Sequence, residues 1–264
     1  VRELMIIIKT EKEFEKIKDA GTRLGELFDY LIPYIKPGIS TYEIDKLAEK
    51  HIRASGAIPA CLGYEGFPFT ICASVNECLV HGFPSKNKIL KNGDIISVDV
   101  VNCYNGWMSD ACRTYAVGEI SSRHQELIDT AEECFYAGFA MAKPGNRIGD
   151  ISHAIEQVAR KHGFALTEIY GGHGIGRDMH EDPMILNVGR AGYGQIIRPG
   201  MAICIEPMLL EGSAKTKRLP DGWGEVSIDK GYTAHYENTV LVTKDGPVIA
   251  TVDSNVRRHL KGEM

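Results

Sequence analysis

The 264-residue chain is 44% hydrophobic and 25% charged, an ordinary globular composition with room for one large domain or two small ones. Its 30 basic and 35 acidic residues leave a net charge of −5, and the basic ones are scattered, which argues against a dedicated nucleic-acid binder. No apolar run approaches a membrane span, and the acidic N-terminal region (Glu3, Glu11, Glu13) lacks a signal-peptide core, so export is not expected.

In chain order, Phe14, Ile17, Leu24, Leu27, Phe28, Leu31 and Ile35 recur at helical spacing until Pro37-Gly38 closes the pattern. Thr41 is the expected N-cap of a second helix carrying Ile44, Leu47, Ala48 and Ile52, which stops near Gly56. Strands follow over 95–103 and 108–117, joined by Tyr104-Asn105-Gly106-Trp107, and Asn-Gly suits a two-residue type I′ turn. That turn sets Asp110 opposite Val101 and puts Asp99 on the same sheet face, roughly 7–8 Å away along the diagonal. Two more helices are predicted over 122–142 and 149–162, then strands over 201–209 and 233–242.

The second set copies the first. Ile35-Lys36-Pro37-Gly38 returns as Ala142-Lys143-Pro144-Gly145, and the same offset of 107 pairs Ile44 with Ile151, Gly56 with Gly163, Gly93 with Gly200 and Asp99 with Glu206. Two related halves, roughly 10–120 and 121–252, with one site between them, make a single domain the expected organisation of residues 1–264.

The repeat gives meaning to acids in apolar company. Asp99 lies in Ile-Ile-Ser-Val-Asp-Val-Val and Glu206 in Ala-Ile-Cys-Ile-Glu-Pro-Met. Either alone fits the solvent face of a half-exposed strand; at equivalent positions of two halves they point inward. Asp110 and Glu237 add one acid each on the next strand, and four convergent carboxylates call for divalent cations. Among the histidines, His173 stands bare in Gly-Gly-His-Gly-Ile-Gly, which does not fit a nucleotide loop, while His81 and His180 share a His-x-x-Pro pattern. His51, His124, His153, His162, His235 and His259 are expected to be ordinary packing or surface residues, His235 being the one that neighbours Glu237. Four carboxylates and an imidazole suit two ions such as Mn²⁺, Fe²⁺ or Co²⁺, with Zn²⁺ also admissible. Such a pair can share a bridging hydroxide and polarise a carbonyl or phosphoryl oxygen, the chemistry of a dinuclear metallohydrolase of open substrate.

The ordered set His81-Gly-Phe-Pro, the Asp99…Asp110 hairpin, Gly-Gly-His173-Gly-Ile-Gly, His180-Glu-Asp-Pro, Ile-Glu206-Pro and Tyr-Glu237-Asn-Thr resembles methionine aminopeptidase over about 5–252. The resemblance implies an α+β "pita-bread" fold, with pseudo-twofold duplicated halves and an antiparallel sheet covered by helices. The short interval between Glu206 and Glu237 and the absence of an N-terminal extension resemble the bacterial type 1 enzymes. By motif position it makes Asp99, Asp110, His173, Glu206 and Glu237 the ligands of two divalent ions (Co, Mn, Fe or Zn), Asp110 and Glu237 bridging both. Glu206 would also move protons, His180 would meet the scissile carbonyl, and His81 would meet the peptide nitrogen beyond it. A methionine pocket is implied at Cys61, Tyr64, Phe67, Cys72 and Trp223, where sulfur and aromatic rings suit a thioether. Met179 stands where relatives often carry an aromatic and His235 where Gln is common, placing His235 to tune the surroundings of Glu237.

The implied activity removes N-terminal methionine from peptides and nascent chains, favouring a small second residue, with ribosome proximity, a monomeric state and no DNA or membrane partner. Seven cysteines without a C-x-x-C argue against a disulfide framework and for the cytoplasm. Rivals are a proline-specific aminopeptidase or dipeptidase of the same fold, which usually carries a large extra N-terminal domain, and a non-catalytic binding protein, which would have lost ligands. A cysteine nucleophile is disfavoured by the position of Cys61 and Cys72 in the pocket segment.

Overall fold

The computed structural model describes residues 5–262. Its helices are α1 (Glu11–Leu31), α2 (Thr41–Ala54), α3 (Ser122–Met141), α4 (Ile148–Lys161) and α5 (Ser254–Leu260). The first-half strands are β1 (Ile58–Pro59), β2 (Cys72–Val75), β3 (Cys78–Val80), β4 (Ile95–Tyr104) and β5 (Trp107–Ala116). Those that follow are β6 (Ala165–Leu166), β7 (Gly171–Gly174), β8 (Glu181–Leu186), β9 (Ala202–Ile205) and β10 (Met208–Leu210). The last are β11 (Thr216–Arg218), β12 (Glu225–Ser227), β13 (Thr233–His235), β14 (Glu237–Thr243) and β15 (Gly246–Ile249).

Helix α1 starts at a capping box, Thr10 Oγ1 accepting from the Glu13 N–H while the Glu13 carboxylate accepts from the Thr10 N–H. Its regular part ends at Leu31, four residues before the expected Ile35, because Pro33 has no N–H with which to continue the ladder. Helix α2 is capped by Ser40, not Thr41. Ser40 Oγ accepts from the Glu43 N–H at 3.1 Å and Glu43 reaches back to the Ser40 N–H at 2.9 Å, so the acid three residues on selects the cap. Thr41 Oγ1 instead accepts from the Ser85 N–H at 2.9 Å.

The offset of 107 recurs in the backbone. Gly38 N–H donates to the Leu90 carbonyl and Gly145 N–H to that of Ile197; Leu90 donates to Ile39 and Ile197 to Asn146. Gly38 and Gly145 both occupy positive φ (98° and 93°), a conformation only glycine adopts without strain.

A nine-stranded antiparallel sheet runs β1-β4-β5-β14-β9-β7-β8, with β2 also on β4 and β15 on β14. The Asn105-Gly106 turn has φ of 49° and 75°, and the β4–β5 register is the expected one, Val101 facing Asp110. Leu24, Phe28 and Ile44 of α1 and α2 pack on Ile96, Val98 and Val100, while Phe135, Ile151 and Ile155 of α3 and α4 pack on Ile203, Val240 and Val242. The helices therefore bury one face and leave the other for side chains that need a cleft.

Two expected strands are each broken in two. The 201–209 run divides at Glu206-Pro207, where proline cannot serve the ladder, and the 233–242 run divides at Tyr236. Beyond these breaks β10 pairs with β13 on one side and β6 on the other, in a separate three-stranded sheet.

Buried Arg113 of β5 fastens this arrangement from behind. Nε donates to Asp253 at 2.6 Å, Nη1 to the carbonyls of Cys112 and Glu237, and Nη2 to Asn238 Oδ1 at 2.8 Å. Asp253 also caps α5 by accepting from the Val256 N–H. Removing one charge of a buried pair strands the other, so Asp253→Asn is expected to cost about 3–5 kcal/mol in urea unfolding. A cost under about 1 kcal/mol, typical of an exposed pair, would overturn that account.

Candidate active site

Strand alternation builds the site. Across the sheet the register sets Cys72 opposite Asp99, Asp99 opposite Cys112 and Cys112 opposite Glu237. Val101 faces Asp110, and Thr239 faces Cys204. With a period of two, Asp99, Asp110, Glu237 and Cys204 all project from the face opposite the helices. Glu206 follows at the end of β9 and His173 enters from β7, beside Gly174, which pairs with Ile203. Gly172 admits this close approach, because a Cβ there would lie 2.0 Å from the Cys204 carbonyl oxygen.

The five expected ligands converge in one cleft of about 690 Å³. His173 Nε2 lies 3.6 Å from Asp110 Oδ2 and 3.5 Å from Glu206 Oε1, with Nδ1 held 2.8 Å from the Gly174 carbonyl. His180 is close by, its ring 4.4 Å from that of His173 and its Nδ1 2.8 Å from the Tyr64 hydroxyl. His81 adopts φ of 58°, strained for a residue with a side chain, and sets its ring edge-on to Tyr170 and Trp223.

Electrostatics mark the cleft as unusual. Burial, then the charges of Asp110 and Glu206, drives Asp99 well above the carboxylate range; Glu237 is driven up the same way, and Glu206 is pushed up to about 7 by burial against the opposing pull of His173. Burial alone would lower His173, but the Asp110 and Glu206 carboxylates outweigh it and raise it to about 9. His180 goes the other way, to about 4, through burial and the charge on His173.

The donor set fits divalent cations. Asp110 Oδ1 and Glu237 Oε1 are buried without a hydrogen-bond partner, and carboxylate oxygens with imidazole nitrogen are the ligands borderline ions accept. The thiols of Cys61 and Cys72 are pushed well up by burial and by Asp99, which leaves them apolar, not nucleophilic. They join Phe67, Val101 and Met179 in a buried apolar cluster, with Tyr64 and Trp223 packed against it. Trp223 meets Phe67 edge to face at 5.1 Å. All five expected pocket residues, Cys61, Tyr64, Phe67, Cys72 and Trp223, line the cleft that holds the acids.

Two residues need a fuller account than the sequence allowed. His235, grouped with the ordinary histidines on the residues alone but placed beside Glu237 by the resemblance, is 2% exposed, with Nε2 3.6 Å from Glu206 and 3.8 Å from Glu237. Its spacing of two from Glu237 was the available signal. Cys204, absent from the expected site, lies among Asp110, His173 and Glu237, and its spacing of two from Glu206 is the signal that points to it. The other histidines lie outside the lining of the cleft; His51, His124 and His259 stack on Tyr30, Tyr232 and Tyr136.

The model of metallopeptidase family M24 matches residues 15–244. The chain belongs to this family. It is 45% identical over 248 residues to the methionine aminopeptidase of Clostridium acetobutylicum, an alignment covering 94% of this chain and 99% of that one. The crystal structure of the methionine aminopeptidase from Thermotoga maritima superposes with a TM-score of 0.93 at 41% identity, covering 94% of this chain and all of that one. A prolidase from Pyrococcus horikoshii shares the fold at 24% identity and a TM-score of 0.77, this chain spanning 65% of its length. The architecture is thus the pita-bread fold of the M24 enzymes, and membership makes the chain a metal-dependent hydrolase. Among the described residues no helix is long and apolar enough to cross a membrane.

Because His173 is raised to about 9 and Glu206 to about 7, and each must shed its proton to act as a ligand, metal loading at pH 7 is expected to release at least one proton. Affinity should therefore fall as pH drops from 8 to 6. Calorimetry in buffers of differing ionisation enthalpy measures this; a proton-neutral titration would refute the protonated state.

Proposed function

We propose that this M24 enzyme removes the N-terminal methionine from peptides and nascent proteins, favouring a small second residue. The observation that carries this reading is the pocket of Cys61, Cys72, Met179, Phe67 and Trp223, which opens directly onto the carboxylates. Sulfur and aromatic edges are polarizable partners for a thioether, and the apolar walls end where a scissile bond must reach the catalytic groups. Relatives at 36–45% identity that bear the name methionine aminopeptidase support it.

On this reading residues 1–264 are one catalytic domain whose two halves each supply acids to the site. Asp99, Asp110, His173, Glu206 and Glu237 would together hold two ions. When bound, the ions supply a water nucleophile at neutral pH and Lewis-acid polarisation of the carbonyl. The acid-rich floor accepts the free α-amine, which restricts action to chain ends. Glu206, with a carboxyl poised near neutrality, takes up and returns a proton. Neutral His180, its Nδ1 2.8 Å from the Tyr64 hydroxyl, would in its Nε2-protonated tautomer donate to the carbonyl oxygen as charge develops. His81 binds the following peptide nitrogen. We further infer that the ions are Co²⁺, Mn²⁺, Fe²⁺ or Zn²⁺, and that the enzyme acts as a cytoplasmic monomer near the ribosome.

Cleavage of Met-Ala-Ser but not Ala-Pro-Ala, abolished by exhaustive EDTA, is the expected result; the reverse preference would indicate a proline-specific enzyme. Asp110→Asn and Glu237→Gln should each abolish turnover and metal loading together, and near-normal activity in either would break the ligand assignment. His180→Ala should lower kcat about 100-fold or more with little change in KM, whereas an effect confined to KM would make it a binding residue only.

A further inference from the structure

We propose that His235 is a sixth protein ligand of the metal centre, giving through Nε2 a second imidazole to an ion that Glu206 and Glu237 also hold. This rests on the reading of those carboxylates as ligands. The placement of Nε2 is the first argument. It stands 3.6 Å from Glu206 Oε2 and 3.8 Å from Glu237 Oε2, too far for hydrogen bonds. His173 Nε2 keeps nearly the same separations, 3.5 Å from Glu206 Oε1 and 3.6 Å from Asp110 Oδ2. Two imidazoles thus face Glu206, one at each oxygen. Ligand atoms each about 2.0–2.2 Å from a shared ion sit about 3–3.5 Å apart, close to the observed spacing.

Burial is the second argument. His235 is 2% exposed and its Nε2 has no hydrogen-bond partner, a condition that buried polar atoms rarely tolerate. A cation between it and the two glutamates satisfies it along with the orphaned Glu237 Oε1.

Its backbone is held as firmly as that of an expected ligand. Thr114 Oγ1 accepts from the His235 N–H at 3.0 Å and donates to the His235 carbonyl at 2.8 Å. Thr239 Oγ1 clamps Asp110 in the same manner, at 2.9 Å on both sides. These hydroxyls replace ladder bonds at the two ends of the β5–β14 pairing, one fixing Asp110 and the other His235. A ligand set with two imidazoles favours Co²⁺ and Zn²⁺ over Mn²⁺ more strongly than a set with one.

The test is Co²⁺ binding to chelator-stripped full-length protein, read by X-ray absorption and by calorimetry, without reference to turnover. Wild-type protein loaded with two Co²⁺ should show imidazole scattering from two histidines. His235→Gln should halve that scattering and weaken Co²⁺ binding about tenfold or more, with a smaller loss for Mn²⁺. One imidazole in the wild type, which needs no variant to fold, overturns the proposal, as does unchanged scattering in His235→Gln. Asp110→Asn separates the two levels: if it still binds both Co²⁺ ions, the carboxylate reading itself fails, whatever His235 does.

Discussion

Like-charge crowding on one buried sheet face is the constraint to which the rest of the structure answers. At the effective dielectric of a protein, two carboxylates about 4 Å apart repel by about 4 kcal/mol. The protein brings four acids together and excludes most of the water that would screen them, which is why Asp99, Glu206 and Glu237 resist ionisation. No local preference of the chain would produce that arrangement. It persists because the strands bearing the acids are fixed by interactions on their other side, where the helical layers bury an extensive apolar core.

The seam between β5 and β14 carries most of this load, since it joins strands from different halves and holds Asp110 and Glu237. Its regular pairing is short, and side chains supply what the ladder lacks. Threonine hydroxyls close both ends, and Arg113 binds the Glu237 carbonyl from behind while tying Asn238 and Asp253 to the same spot. A cation behind the sheet thus offsets, through a backbone dipole, part of the negative charge in front. The breaks at Pro207 and Tyr236 belong to the same design. They carry the chain out of the main sheet immediately beside Glu206 and Glu237, opening the cleft where the acids emerge.

What the sequence made legible follows from how local the causes were. The Asn105-Gly106 turn fixes its own register, so the relation of Asp99 to Asp110 could be stated to the residue. Helix positions followed from apolar spacing, and the ligand candidates from acids that interrupt it. Where two neighbours could serve equally, as with Ser40 and Thr41, spacing alone misplaced the cap, although Glu43 three residues on held the answer. The strand break within 233–242 was hidden because Tyr236 is itself a good strand former, whereas Pro207 did hint at the interruption of 201–209. Arg113 was beyond reach for a different reason, since its significance lies in contacts with distant strands. His235 and Cys204 each carried one local signal, an acid two residues away.

The two histidines at the head of the cleft show how the acid cluster assigns chemistry to its neighbours. His173 and His180 lie 4.4 Å apart, yet their proton affinities are driven in opposite directions. His173 looks onto carboxylates and is stabilised in its charged form, the form a cation would displace. That same positive charge, with burial, keeps its neighbour neutral. His180 turns instead to the Tyr64 hydroxyl, which occupies Nδ1 and leaves Nε2 facing the cleft. Titratable groups whose environments separate their proton affinities are fitted to different tasks in one site. Here the division needs no special feature of either imidazole. It follows from which one faces the acids, and that was decided when β7 was laid against β9.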